Sequence, residues 1–145
     1  MVYRPPNTSI TKFNDDIQVI LGKIQKEKKF ACLLGDFNID TYAHNNSSLH
    51  TDAEEFCNIL QTYNYKQLIN RPTRYCKSSP SLLDNIYTNL PITIETCESG
   101  ILLADISDHF PVFTVISQLS VLKEERYYTI KISVLVILIS SRKKC

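Results

Sequence analysis

Phe30-Ala31-Cys32-Leu33-Leu34-Gly35-Asp36-Phe37-Asn38 is the stretch that decides the fold. A short apolar run bounded by glycine reads as a buried strand, with Gly35 ending it. Its carboxyl end delivers Asp36 and Asn38, the position at which open α/β sheets build their sites. Before it, Ile10, Phe13, Ile17, Ile20, Leu21 and Ile24 recur at helical spacing behind Thr8 or Ser9, which predicts an amphipathic helix over 9–28. Val2-Tyr3 reads as a strand end closed by Pro5-Pro6. After the polar residues 41–51, Asp52 is placed to cap a second helix with Glu55 in the capping box, and Phe56, Ile59, Leu60 and Tyr63 form its apolar face. Further strands are expected at Lys66–Ile69, Leu82–Thr88, Ile92–Cys97 and Phe110–Leu119. Residues 70–74 and 76–81 read as loop, and 105–108 as a turn. Helices and strands mixed with connections of varied length predict an α/β layered fold with mixed sheets.

Composition bounds the functions this fold can carry. The chain has 145 residues, 43% hydrophobic and 21% charged, which suits one folded domain. A formal net charge of +1 does not announce nucleic-acid binding, so any such contact needs a local patch. Lys23, Lys26, Lys28 and Lys29 read as a solvated face. Arg71 and Arg74, in a turn-rich segment, are better placed to touch phosphate. The five cysteines include no C-x-x-C pair, so zinc and a disulfide framework are both disfavoured. Met1–Pro6 has no apolar signal-peptide core, and the apolar run Ile130–Ile139 is roughly half the length a spanning helix needs. The expectation is an intracellular chain, nuclear or cytoplasmic, with no membrane and no small-molecule cofactor.

Three carboxylates and one histidine carry the chemistry: Asp36, Asp84, Asp108 and His109. Phosphodiester hydrolysis needs a base for the attacking water, neutralisation of phosphate charge, and a stabilised leaving oxygen. Each fragment alone has a plainer reading. Gly-Asp-Phe-Asn is commonly a turn, Asp-His a surface pair, Tyr3 a packed aromatic. Asp84 is the most informative residue, because a carboxylate in an apolar strand is costly unless paired. His109 is a suitable partner, whether for catalysis or only to join two strands.

Taken in order, Tyr3-Arg4-Pro5-Pro6, Gly35-Asp36-Phe37-Asn38, Leu83-Asp84-Asn85-Ile86-Tyr87-Thr88-Asn89 and Ser107-Asp108-His109-Phe110-Pro111-Val112 resemble motifs of the endonuclease/exonuclease/phosphatase superfamily. That superfamily includes exonuclease III, the apurinic endonucleases, DNase I and the inositol polyphosphate 5-phosphatases. Asn70-Arg71-Pro72-Thr73-Arg74 and Asp84–Asn89 are similar to the endonuclease domain of LINE-type (non-LTR) retrotransposons, normally fused to a reverse transcriptase. The resemblance covers about residues 2–117. It implies part of a four-layer α/β sandwich over 1–119, with 120–145 an unassigned apolar and basic tail.

It also implies residue roles and a Mg²⁺ or Mn²⁺ cofactor. Asp36 would activate water, and Asn38 would hold that water and the phosphate. Asp108 would lie at the metal, and His109 would donate to phosphate, oriented by Asp84. Tyr3 would donate its hydroxyl, and Arg71 and Arg74 would touch DNA. The family's asparagine and metal-binding glutamate precede its tyrosine motif, and two residues precede Tyr3 here; Glu54 and Glu55 stand in the wrong order to substitute. A truncated nuclease, weak or inactive alone, is therefore expected. Its partners would be DNA and either an N-terminal half or a reverse transcriptase in a longer polyprotein. Two alternatives stay open: a non-catalytic nucleic-acid or protein-binding remnant, and a phosphatase or phosphodiesterase of the same superfamily.

Overall fold

Strand β2 (Cys32–Asp36) is the axis of the principal sheet. On one side it pairs in parallel with β1 (Val2–Tyr3), Val2 opposite Gly35 and Tyr3 opposite Asp36. On the other it pairs antiparallel with β6 (Asp84–Thr88), from Cys32 opposite Thr88 to Asp36 opposite Asp84. Strand β3 (Lys66–Gln67) completes the order β1-β2-β6-β3. This computed structural model describes residues 1–42, 51–76, 79–92, 97–104, 107–116, 119–123, 126–130 and 135–137.

A parallel pair needs a long crossover. Helix α1 (Ile10–Lys26) supplies it, with Ser9 as N-cap accepting from the Lys12 amide. Helix α2 (Thr51–Thr62) packs beside it on the same face of the sheet. Their shared core takes Ile17, Leu21, Phe56, Ile59 and Leu60 from the helices and Leu33, Phe37 and Tyr87 from the sheet side. Phe13, Phe37, Phe56 and Tyr87 form a ring cluster with centroids 5.2–6.5 Å apart, a spacing at which edge-on contacts add to area burial.

Alternation along the pleat sends Leu34 and Ile86 to the opposite face. There they meet Ile69, Leu82 and Val112. Val112 belongs to β8 (Val112–Ile116), which pairs with β7 (Cys97–Ile101) and β11 (Leu135–Ile137) in a second sheet. Strands β9 (Leu119–Lys123) and β10 (Arg126–Ile130) form a hairpin, as do β4 (Arg74–Cys76) and β5 (Ser79–Ser81). The α/β class with mixed sheets is thus observed. Among the described residues it comprises three layers: helices, principal sheet, second sheet.

Several boundaries differ from expectation. Residues 74–76 and 79–81 are paired strands, not loop; this hairpin borders the 107–110 segment, where Tyr75 N donates to the Asp108 carbonyl at 3.4 Å and Arg74 bridges His109. Strand β2 starts at Cys32 and contains Gly35. Ahead of it, side chains supplement one long main-chain bond (Asn89 N to the Ala31 carbonyl, 3.4 Å): Ala31 N donates to Asn89 Oδ1 (2.7 Å), and Thr88 Oγ1 donates to the Ala31 carbonyl (3.0 Å). Phe30 is consequently 48% exposed. Ile20 faces solvent, beside the covered stripe that Ile10, Phe13, Asn14, Ile17 and Leu21 form along α1. Asp52 lies inside the first turn of α2 and does not precede it. The third strand is only Lys66–Gln67, β7 begins at Cys97, and β8 ends at Ile116, with Leu119 already in β9. Residues 93–96, 105–106 and most of 41–51 lie outside the described residues.

Candidate active site

Asp36 and Asp84 are register partners on adjacent antiparallel strands, so their side chains leave the same face of the sheet. Tyr3 is the register partner of Asp36 on the other side and follows Val2, which packs on the helical core; its ring belongs to that same face. One row across β1, β2 and β6 therefore reads Tyr3, Asp36, Asp84. Asp84 is fully buried and Asp36 nearly so, whereas Tyr3 is 61% exposed at the rim.

His109 reaches this row from the turn that leads into β8 of the second sheet. Ser107 Oγ donates to the His109 carbonyl (2.7 Å) and accepts from the His109 amide (3.1 Å), fixing a tight turn. Phe110 N donates to the Thr73 carbonyl (2.7 Å). The Thr73 hydroxyl in turn accepts from the amides of Leu83 (3.2 Å) and Asp84 (3.0 Å). Thr73 thus ties the start of β6 to the His109 turn. Across the seam, His109 Nδ1 lies 2.7 Å from Asp84 Oδ2. The carboxylate can only accept when ionised, so Nδ1 carries the proton and Nε2 is left for another partner.

The remaining expected residues divide. Ligand atoms of Asp36, Asp84 and His109 lie within 4.8 Å of one another. Asp108 is outside that triplet; its Oδ2 accepts from Arg74 Nε at 3.0 Å. Arg74 is thereby engaged with Asp108. Arg71 is exposed beside a groove of about 350 Å³ lined also by Leu68, Ile69, Ser99 and Phe113. Asn38 sits at φ 47°, and its main-chain N–H donates to Asp36 Oδ1 (3.0 Å). Its side-chain amide donates to the Arg4 carbonyl (2.8 Å) and also acts on the Asp36 carboxyl. Sequence reasoning gave no role to Thr73 or to Arg4, which is 6% exposed. Both lie within quoted motifs, but the signal is only their position there. Neither partner set is local.

Burial, then the Asp84 charge, holds the Asp36 carboxyl above its ordinary 3.8. Burial pulls His109 down, but the Asp84 hydrogen bond and the Asp84, Asp36 and Asp108 charges outweigh it and raise the imidazole above 6.5. Asp108 is held below 3.8: its burial acts upward, and the Arg74 hydrogen bond with the His109 charge outweighs it. A raised folded value means the native state binds the proton more tightly than the unfolded chain. The His109 contribution is therefore complete below about pH 6.5 and is lost as pH rises through the folded value. Urea midpoints recorded in chelator are expected to fall across that window, and His109→Gln is expected to flatten the fall.

A hard divalent cation takes carboxylate and water oxygens. Asp84 Oδ1 is buried with no hydrogen-bond partner, and with the Asp36 carboxylate it forms a donor set of the right chemistry. Among the described side chains Cys32, Cys57 and Cys97 are free thiols. No helix among the described residues is long and apolar enough to cross a membrane. The profile of the family described as "Endonuclease-reverse transcriptase" matches residues 1–113. Comparison with curated proteins finds no match.

Proposed function

This chain belongs to the endonuclease-reverse transcriptase family, and on that premise we propose that it carries the acid–base half of a DNA phosphodiester-hydrolysing site. The observation that carries the reading is the 2.7 Å Asp84–His109 bond, buried and set beside the raised carboxyl of Asp36. Water oxygen forms the new bond to phosphorus and gives its proton to Asp36, whose raised value brings it nearer the working pH of a base. The bond from phosphorus to the leaving oxygen breaks, and that oxygen takes its proton from solvent water. Charged His109 donates from Nε2 to a non-bridging phosphate oxygen, held in that tautomer by Asp84. Tyr3, on the rim of the same row, donates its hydroxyl to the phosphate. Asn38, hydrogen-bonded to Asp36, helps hold that water and the phosphate, while its Nδ2 also donates to the Arg4 carbonyl.

Charge balance supports a cation. With all three carboxylates ionised, Arg74 and a charged His109 leave one net negative charge, and a phosphodiester adds another. Mg²⁺ or Mn²⁺, held at Asp84 Oδ1 and Asp108, would neutralise that charge and leave Asp36 as the base. The family's metal-binding glutamate is not in the triplet, so the 145 residues alone are expected to nick DNA weakly or not at all. The test is relaxation of supercoiled plasmid with Mg²⁺ by the pure chain and by a chimera carrying the N-terminal part of an active relative. Activity in the chimera that is lost in Asp36→Ala supports the reading. Robust nicking by the chain alone would overturn the dependence on a further segment. An inert chimera would overturn the chemistry.

Arg71, exposed beside the groove, is the candidate contact to the DNA backbone. Arg71→Ala is expected to weaken binding uniformly across sequences and to lower the salt slope by about 1. Arg74→Ala is expected to change that slope less, because it first loses the Asp108 pair. Fluorescence anisotropy at several salt concentrations separates the two.

A further inference from the structure

The side chain that holds the loop after Asp36 comes from the neighbouring strand and is given no part in the chemistry. Arg4 follows β1, and its main-chain N–H extends the β1–β2 ladder by donating to the Asp36 carbonyl (3.0 Å). Its side chain then folds back over the loop after Asp36. Nε donates to the Phe37 carbonyl (2.8 Å), Nη2 to the Asn38 carbonyl (2.7 Å) and Nη1 to the Thr8 carbonyl (2.7 Å). Asn38 closes the circuit by donating from Nδ2 to the Arg4 carbonyl (2.8 Å). Among the described residues no carboxylate pairs with this guanidinium. A buried charge spent wholly on carbonyls is unusual, and its cost must be offset by what it orders.

What it orders is the left-handed turn at Asn38. Non-glycine residues occupy that region rarely, and here the loop that holds it also carries the Asn38 N–H bonded to Asp36 Oδ1. The turn also leaves the carbonyls of Phe37 and Asn38 in need of donors away from bulk water. The Arg4 fork supplies both from one planar group. A lysine ammonium, a single point on a flexible stem, cannot span the same acceptors.

We propose that Arg4 is the positioning residue of this site: its guanidinium locks the Phe37–Asn38 main chain and so fixes the Asp36 carboxylate, by geometry and not by charge. The proposal deepens the hydrolase reading of Asp36, but it is tested without metal, DNA or turnover, so the two can fail separately. In the folded chain, ¹⁵N NMR should show a slowly exchanging Arg4 Nε–H and a protected Asn38 amide. Arg4→Lys should retain the protected amides of Leu68 and Phe110, which bond the Ile86 and Thr73 carbonyls, and the His109 imidazole signals. The same variant should accelerate Asn38 amide exchange at least tenfold and shift the Asp36 carboxyl carbon at fixed neutral pH. Asn38→Gly keeps the turn and the Arg4 donors, and should keep the amide at position 38 protected. Asn38 protection in Arg4→Lys equal to that of the parent would overturn the proposal, because charge alone would then suffice. Should Arg4→Lys fail to fold, a freely exchanging Arg4 Nε–H in the parent chain overturns it equally.

Discussion

Asp84→Ala is expected to cost about 3 kcal/mol of stability at about pH 6, and about 1 kcal/mol at about pH 9. The pair is wholly buried, His109 at 4% and Asp84 at 0% side-chain exposure. Removing one member of such a pair strands the other's charge, which is why single truncations cost far more than the pair is worth. Two features hold the figure at the low end. Histidine can shed its proton, and Asp84 Oδ1 has no partner to lose. The pH dependence follows from the sign already derived. Below about pH 6.5 the folded imidazole is charged and needs its carboxylate; above the raised folded value it is neutral and loses one hydrogen bond. For a chain of this size 3 kcal/mol is a fall of roughly 10 °C in Tm. The measurement is a double-mutant cycle with His109→Ala at both pH values. Coupling that is absent, or larger at high pH, would contradict the assigned protonation.

Gly35→Ala is expected to be at least as damaging, by about 3–4 kcal/mol. A Cβ at Gly35 would penetrate the Val2 carbonyl group, its carbon 2.7 Å away and its nitrogen 3.0 Å. The obstacle is main chain, so no side chain can rotate aside. The strand β1 must move off β2, taking the Tyr3–Asp36 register with it. The conformation itself, φ 154°, adds strain for any residue with a Cβ. Gly22→Ala is the control of opposite sign. Its Cβ would meet only the Tyr63 hydroxyl at 3.8 Å, and mid-helix alanine should stabilise by up to about 1 kcal/mol. Thermal melts of the two variants side by side read the contrast, and similar Tm values would refute the close-approach account.

Much of the site is legible from residues alone because its parts sit in short local motifs. Asp36 is marked by the glycine before it and the apolar run behind it. Asp84 is marked by being a charge in an apolar strand, and that oddity pointed to His109. The parts that stayed hidden all depend on contacts remote in sequence. Arg74 and Asp108 are 34 positions apart, as are Arg4 and Asn38, and nothing local distinguishes an arginine aimed at DNA from one aimed at a carbonyl. The β4–β5 hairpin was masked by composition: Ser79-Pro80-Ser81 has turn residues throughout, yet a proline is tolerated in a two-stranded ribbon without a further neighbour to donate to. Of the α1 face read from periodicity, Ile20 alone is exposed, because periodicity shows which residues can be covered, not how wide the covering layer is. The helix-and-sheet class itself survived every boundary error, since it rests on the alternation of periods and not on where each element ends.

The seam between the two sheets has a mechanical consequence. Ile86 stands two residues from Asp84, and Val112 three from His109; both are fully buried and share one apolar cluster. They behave as a spacer gauge: their combined bulk sets how far apart the two sheets ride, and hence the length of a hydrogen bond that neither side chain touches. Shrinking or swelling the gauge retunes the Asp84–His109 pair without altering any polar group, so drift at these two aliphatic positions can loosen or tighten that pair while every recognisable motif stays intact.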